Sequence, residues 1–320
     1  MRTRYPLDQS PLYRLRSRVR LAELLQITAS DLNAMARAQD SQYECYPKII
    51  EKDGKKKERY IERPKPRLRQ VQKRLVNLLN RVTPPEYLHS AFRGRSYVSN
   101  ASQHSCDCRI AKIDIRKFFP SAYAGQVYRS FADVFQCSHD VAGTLARLTT
   151  AFGHLPTGGN SSSMVSFFAF KPMFDEIHTL AVSHGLIMTC CVDDMTFSGD
   201  NATSNFLNSV RIIIHRYGLK VHKRHWFESQ QTKIITGVAL TPKGLRVPNA
   251  RRKKLHSAYA AFQAEGDLHR KVKIGEEMLG RVTEAAQVEE KFRPFVSKAA
   301  QKLREVKKAV GQIQASGGQR

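Results

Sequence analysis

Acids are scarce in this chain. Among 320 residues, Asp and Glu number 28 against 53 Lys and Arg, a formal net charge of +25. A compact protein keeps so large an excess with difficulty unless an anionic partner neutralises it. Nucleic acid is the natural partner, because each phosphate contact releases condensed counterions; the blander reading is a merely soluble basic protein. Long hydrophobic runs are also missing. The longest, near 164–174 and 181–192, are interrupted by polar groups and fall short of a membrane span. Met1 to Arg20 alternate Arg with polar residues and lack the apolar centre of a signal peptide. No membrane partner is expected, and a cytoplasmic location is. Zinc-type cysteine spacing is absent too: the six cysteines include Cys106-x-Cys108 and Cys190-Cys191, neither of which has the gap and distant partner pair of a zinc ribbon. Structural zinc is not expected, and reduced thiols are. There is no internal repeat and no long linker.

What is present suffices for a folded body. With 41% hydrophobic residues the chain can bury a real core. Its length allows two domains, or one large body with appended helical parts. Leu21, Leu24, Leu25, Leu32 and Met35 fall at helical spacing, and Thr28 and Ser30 offer cap chemistry between two short helices. Residues 46–63 read as a hairpin closing at Asp53-Gly54, and Pro64 and Pro66 end it. An amphipathic helix follows, marked by Leu68, Val71, Leu75, Leu78 and Leu79 and ringed by Arg67, Arg69, Lys73 and Arg74. From 109 to 240 the pattern mixes strands (109–115, 186–192, 195–198, 233–240) with helices (near 123–136, 139–151, 162–184, 202–217), which fits an antiparallel sheet backed by helices. The tail from about 249 is helical and basic, and Ser316-Gly317-Gly318 are expected to fray.

Two segments carry chemistry. Residues 111–121 read AKIDIRKFFPS, an apolar strand that delivers Asp114 at its end. Residues 186–199 read LIMTCCVDDMTFSG, two apolar runs flanking Asp193 and Asp194 without Gly or Pro between them, the pattern of a hairpin with acids at its tip. Adjacent carboxylates in an apolar setting repel one another and are costly to desolvate, so they need a compensating cation. With Asp114 on a neighbouring strand they would complete a site for two Mg²⁺ ions, the arrangement that two-metal phosphoryl chemistry needs. An Asp-Asp pair alone is weak evidence and is often an ordinary exposed turn; the flanking pattern and the third acid give it weight. Between these segments, LPTGGNSSS (155–163) supplies a loop whose backbone can approach a ligand closely and then cap a helix near Met164.

The order and spacing of these elements resemble the palm of reverse transcriptases, in particular the bacterial retron type. Asp114 with Phe118-Phe119-Pro120-Ser121 matches that family's first palm motif. Leu155-Pro156-Thr157-Gly158 with its Ser run matches the Pro-Gln-Gly loop motif, and Cys191-Val192-Asp193-Asp194 the Tyr-x-Asp-Asp motif. Asn100-Ala101-Ser102-Gln103-His104 is similar to the retron Asn-Ala-x-x-His signature, and Ile235-Thr236-Gly237 stands where retron enzymes carry Val-Thr-Gly. The stretch from Lys55 through Arg59, Ile61, Pro64, Leu68 and Gln72 resembles the family's fingers. The likeness covers most of residues 46–260.

The resemblance implies an α+β fold of the right-hand polymerase type, with an antiparallel palm sheet and a helical N-terminus and thumb. The expected domains are an N-terminal helical region (1–45), fingers (46–105), a palm (106–240, with 139–165 contributing to the fingers) and a basic helical thumb (241–320). It implies an RNA-directed DNA polymerase in which Asp114, Asp193 and Asp194 are catalytic and, with Ile115, hold two Mg²⁺ ions. Phe119 would be a steric gate selecting deoxynucleotides, Thr157 and Gly158 would floor the nucleotide pocket, and Arg59 and Arg63 would reach the triphosphate. Asn100 and His104 would contact structured RNA or brace the region that does; for His104 a satisfied packing role is the alternative. Thr236, Gly237, Arg251, Arg252 and Lys253 are further candidate RNA contacts, the last three as a thumb helix gripping duplex backbone. Arg224 and His225 lie near the motif that often supplies a Lys general acid.

Expected partners are a structured non-coding RNA serving as template and primer, dNTPs, the single-stranded DNA product with its RNA–DNA hybrid, and an effector protein in antiphage defence. Three departures stand out: Cys191 replaces the usual Tyr, Thr157 replaces Gln, and Met164 stands where Pro often follows the Ser. None removes a metal ligand. A diversity-generating or abortive-infection reverse transcriptase, or a non-catalytic RNA-binding protein with a degenerate palm, are the alternatives.

Overall fold

The computed structural model describes residues 3–52 and 55–317. The Asp53-Gly54 turn expected above lies outside the described residues, as does Gly318 of the expected frayed end. Mixed helices and antiparallel sheets make an α+β protein. Among the described residues no helix is long and apolar enough to cross a membrane. The chain divides into two compact units, Met1–Ser96 with Arg109–Trp226, and Tyr97–Cys108 with Phe227–Arg320.

In the first unit, two short helices, Arg18–Leu25 and Ala29–Arg37, start at hydroxyl caps. The Ser17 hydroxyl accepts from the Arg20 N–H (3.3 Å) and the Thr28 hydroxyl from the Asp31 N–H (3.1 Å), each satisfying a donor the helix start leaves open. The hairpin follows as β1 (Tyr43–Lys52) and β2 (Lys55–Pro64), antiparallel, with Tyr46 opposite Ile61 and Lys48 opposite Arg59. Pro66 opens the helix Pro66–Leu79, where its missing N–H costs nothing. The five apolar positions read from the sequence in that helix are all buried.

The main sheet has four strands: β3 (Ile110–Ile115), β4 (Ile187–Cys191), β5 (Asp194–Ser198) and β6 (Val221–Phe227), in the order β4-β5-β3-β6. The central β5 runs antiparallel to both of its neighbours. Helix Lys171–Ser183 packs on β4 and helix Ser204–Arg216 on β3. A cluster of phenylalanines, among them Phe118, Phe168, Phe170 and Phe174, fills the space behind the sheet. The sequence suggested one helix over 162–184; there are two, Ser162–Ala169 and Lys171–Ser183, parted at Phe170 because Pro172 cannot donate to a continuing helix. Nor does the hydroxyl run cap the first of them through a side chain: Ser161 makes no such bond, and the Ser162 hydroxyl donates instead to the Pro156 carbonyl (2.8 Å). Strand β6 was not anticipated. Its residues 222–226, His-Lys-Arg-His-Trp, are all exposed and carry no alternation to read.

In the second unit, β7 (Lys233–Ile235), β8 (Val238–Thr241) and β9 (Gly244–Arg246) form an antiparallel sheet. It is accompanied by the short helix Tyr97–Ala101 and three longer ones, Asn249–Ala264, Leu268–Val288 and Arg293–Gly317. The expected single strand over 233–240 is therefore a hairpin. Thr236 and Gly237 form its turn with φ of 46° and 84°, the left-handed pair that a two-residue hairpin loop needs. The buried Lys233 donates to the carbonyls of Cys106 (3.1 Å) and Cys108 (2.6 Å), and the Thr236 hydroxyl to that of Tyr97 (2.9 Å). These bonds tie 97–108 to 227–240 within the second compact unit, whose later segment begins at Phe227.

Candidate active site

The sheet brings three acids together. Asp114 on β3 stands directly opposite Asp194 on β5, and the Ile115 N–H donates to the Asp193 carbonyl (3.1 Å). Cys191 pairs with Asp194 across the β4–β5 hairpin, leaving Val192-Asp193 as a two-residue loop. Val192 takes a φ of 63°, an unfavourable conformation for a β-branched residue, so the surroundings must hold it. They do so through residues 87–90: the Cys190 N–H donates to the Tyr87 carbonyl (2.7 Å), the His89 N–H to the Cys190 carbonyl (2.8 Å), and the Val192 N–H to the Ser90 hydroxyl (2.9 Å). With β3 on the other side, the acidic tip is fixed from both flanks.

Electrostatically the acids of this tip are only partly compensated. Burial pushes the Asp193 carboxyl up to about 6, and the neighbouring charges of Asp114 and Asp194 add to the rise while Arg59 opposes it. Asp194 is raised as well, first by burial and then by Asp114, against a lowering pull from Lys112 and His225. Lys112 Nζ lies 3.2 Å from Asp194 Oδ2, and His222 Nδ1 lies 3.3 Å from Asp114 Oδ1. Among the described residues no group of three His, Cys, Asp or Glu side chains converges on one metal position. Asp194 faces the Lys112 ammonium and Asp114 the His222 ring, while at Asp193 burial and the two acids outweigh the pull of Arg59. Oxygen donors short of positive charge fit a hard divalent cation, which these side chains would reach by turning from Lys112 and His222. Beside them, burial pushes the Cys191 thiol up to about 11, so it stays neutral.

The loop 154–158 packs against β2. The Glu62 carboxylate, 7% exposed, accepts from the Thr157 N–H (2.9 Å) and lies 3.0 Å from His154 Nε2, while the Glu62 N–H donates to the Thr157 carbonyl (2.8 Å). His154 Nδ1 lies 3.1 Å from the Phe152 carbonyl. Both ring nitrogens thus face oxygen atoms. Gly158 has a φ of 114°, and a Cβ there would meet Ile61 Cγ2 at 3.0 Å and the Glu62 carbonyl at 3.3 Å, so the approach requires glycine. Arg59 and Arg63 are exposed on one face of β2. Phe119 is half-buried, its ring centroid 6.0 Å from that of Phe118.

The candidate residues therefore fall into two groups. Arg59, Arg63, Asp114, Ile115, Phe119, Thr157, Gly158, Asp193 and Asp194 lie in the first unit, and Asn100, His104, Thr236, Gly237, Arg251, Arg252 and Lys253 in the second. Several of the second group are internal. Asn100 is fully buried and His104 is 5% exposed. Arg251 stacks on the Tyr97 ring (5.5 Å), pairs with Glu284 (2.6 Å) and lies where a Cβ on Gly237 would clash with its guanidinium. Arg252 pairs with the buried Glu289 (2.7 Å). Only Lys253 of that basic trio is exposed. Lys112, His222, Glu62 and His154 went unnoticed in the sequence. Lys112 was legible, two residues before Asp114 and hence on its face of the strand; the other three depend on contacts between distant segments.

The sequence has relatives of known type. It is 28% identical over 229 residues to the retron Se72 reverse transcriptase of Salmonella heidelberg, an alignment covering 68% of this chain and 60% of that protein. It is 30% identical to the retron Mx65 reverse transcriptase of Myxococcus xanthus over 50% of this chain and 41% of that one. With the retron Ec86 reverse transcriptase of Escherichia coli it shares 24% identity over 77% and 79% of the two chains. The chain is thus similar to several retron reverse transcriptases. It spans 60% and 41% of the length of the first two of these proteins. No family model matches. The retron likeness extends beyond the motifs to alignments over half to three quarters of this chain.

Proposed function

We propose that this chain is an RNA-directed DNA polymerase of the retron type. The observation that carries the proposal is the register of Asp114 against Asp194 beside a cation-poor Asp193. In this reading β1–β2 belong to the fingers, the four-stranded sheet to the palm and the C-terminal helices to the thumb. Asp114, Asp193, Asp194 and the Ile115 main chain would hold two Mg²⁺ ions. Bound there, the ions supply an activated primer oxygen and charge stabilisation on the nucleotide phosphates. The chain's own residues do the rest. Arg59 and Arg63 offer guanidinium donors to the triphosphate, Thr157 and Gly158 form the pocket floor, and Phe119 excludes a ribose 2′-hydroxyl by its bulk. Cys191 is shorter than the Tyr it replaces, and Thr157 makes no amide contact of the Gln kind, so rate or fidelity is expected to differ from that of Tyr- and Gln-bearing relatives.

The template and primer would be a structured non-coding RNA, primed from a guanosine 2′-hydroxyl to give a branched RNA–DNA product, in a defence system with an effector protein. A short transcribed inverted repeat next to the gene would support this finer assignment. Primer extension on an RNA template with Mg²⁺ tests the activity itself. The wild type should extend and Asp193→Ala should not, with RNA binding retained. The Lys112–Asp194 and His222–Asp114 pairs favour one rival, an RNA-binding scaffold whose acids are neutralised internally; no extension by either protein would select it.

A further inference from the structure

Between β2 and the loop 154–158 lies a buried carboxylate that the catalytic reading leaves without a task. Glu62 sits between Ile61 and Arg63, one residue from each, on the strand whose other face carries Arg59 and Arg63. Its side chain is directed away from those arginines and into the protein, where it bonds the Thr157 N–H and the His154 ring. Its main-chain N–H bonds the Thr157 carbonyl, and its carbonyl and the Ile61 side chain press on Gly158. Four separate contacts thus join one strand residue and its neighbour to two consecutive loop residues. Burying a carboxylate is costly unless charge and hydrogen bonds compensate it. A simple packing position would be filled more cheaply by an apolar side chain.

We infer that Glu62 is a positioning residue for the incoming nucleotide: it locks the Thr157-Gly158 floor to the strand that presents Arg59 and Arg63, so that the two walls of the pocket keep one spacing. The inference rests on the polymerase reading above. Its physical content is pre-organisation. A nucleotide gripped at its phosphates by one element and at its sugar and base by another binds well only when the two are held in register, and a slip of about 1 Å is enough to lose much of the gain. Glutamine keeps an acceptor for the Thr157 N–H, so it retains the lock in weaker form; alanine removes it.

Two measurements on the full chain test this. In primer extension, Glu62→Ala should raise the KM for dNTP about tenfold or more while kcat stays within about threefold, and Glu62→Gln should recover most of the loss. By hydrogen exchange, the Thr157 amide should lose protection in Glu62→Ala relative to Glu62→Gln and the wild type. A folded Glu62→Ala with unchanged KM, or with unchanged exchange at Thr157, overturns the inference. If Glu62→Ala does not fold, His154→Ala and Glu62→Gln carry the same comparison, and an unchanged dNTP KM in both overturns it. Equilibrium dialysis of a dNTP with Ca²⁺ separates this failure from that of the polymerase reading. A wild type that binds but does not extend, with binding weakened about tenfold by Glu62→Ala, removes the activity and keeps the lock. A wild type that does neither removes both.

Discussion

The two compact units treat a buried carboxylate in opposite ways. Asp193 in the first is raised to about 6, because burial and its acidic neighbours outweigh the pull of Arg59. Glu289 in the second is 4% exposed, and burial pushes its carboxyl up too; yet it is held at about 2 because the Val247 N–H, Lys291 and Arg252 more than compensate. Arg246 adds a further contact at 3.3 Å. Desolvation is the same problem in both places, and only one place solves it with protein cations. A carboxylate left short of charge inside a folded protein costs stability, so its persistence argues for a ligand. A fully paired one argues for architecture.

The contrast can be broken most severely at Asp193. Asp193→Asn should reduce polymerisation by about a thousandfold, a loss of several kcal/mol of charge stabilisation. Without divalent cations it should not lower the melting temperature, because it removes a repelling charge. A clear drop in melting temperature would mean that Asp193 is paired after all. Glu289→Gln should act in reverse, leaving Arg252 and Lys291 without a charged partner and costing about 3 kcal/mol, read by denaturant unfolding with hydrogen exchange of the 249–264 amides.

Acidification should separate the units further. Glu289 has a folded value of about 2 below an ordinary 4.5, so its stabilisation is complete above 4.5 and is lost as pH falls through 2. Asp193 has a folded value of about 6 above an ordinary 3.8, so its penalty is complete above 6 and is relieved as pH falls from 6 to 3.8. Metal-free protein taken from pH 7 to pH 5 should therefore gain stability in the first unit, with the second unchanged, as followed by residue-level hydrogen exchange. Loss in the first unit would refute the cation deficit. At Gly237, Ala would need a left-handed backbone and would collide with Arg251, so Gly237→Ala should cost more than about 1 kcal/mol in the second unit by thermal melting.

The smallest effect is at Lys253. Lys253→Glu should change stability by less than about 0.5 kcal/mol while lowering the salt slope of RNA binding by about one. Reversing Arg251 or Arg252 would instead unsettle the fold through Glu284 and Glu289. An unchanged slope for Lys253→Glu would reject a nucleic-acid role for this helix face.

Several elements were readable because their signals are local. The Thr28 cap, the buried face of Pro66–Leu79 and the apolar runs around Asp193-Asp194 each depend on neighbours within a few residues. Strand β6 was unreadable because an exposed edge strand needs no alternating pattern, and the Thr236-Gly237 turn hid inside an apolar run. Arg251 and Arg252 looked like a phosphate grip because sequence shows charge without showing its partner; Glu284 and Glu289 lie more than thirty residues further along the chain.

By itself the sequence marked the candidate acids and the cationic excess, since both need only residue identity and period-two spacing to be recognised. Tertiary structure alone decided which charges are spent internally and which remain for a ligand. Compensation depends on distances of a few ångströms between segments far apart in the chain, and those distances exist only after folding.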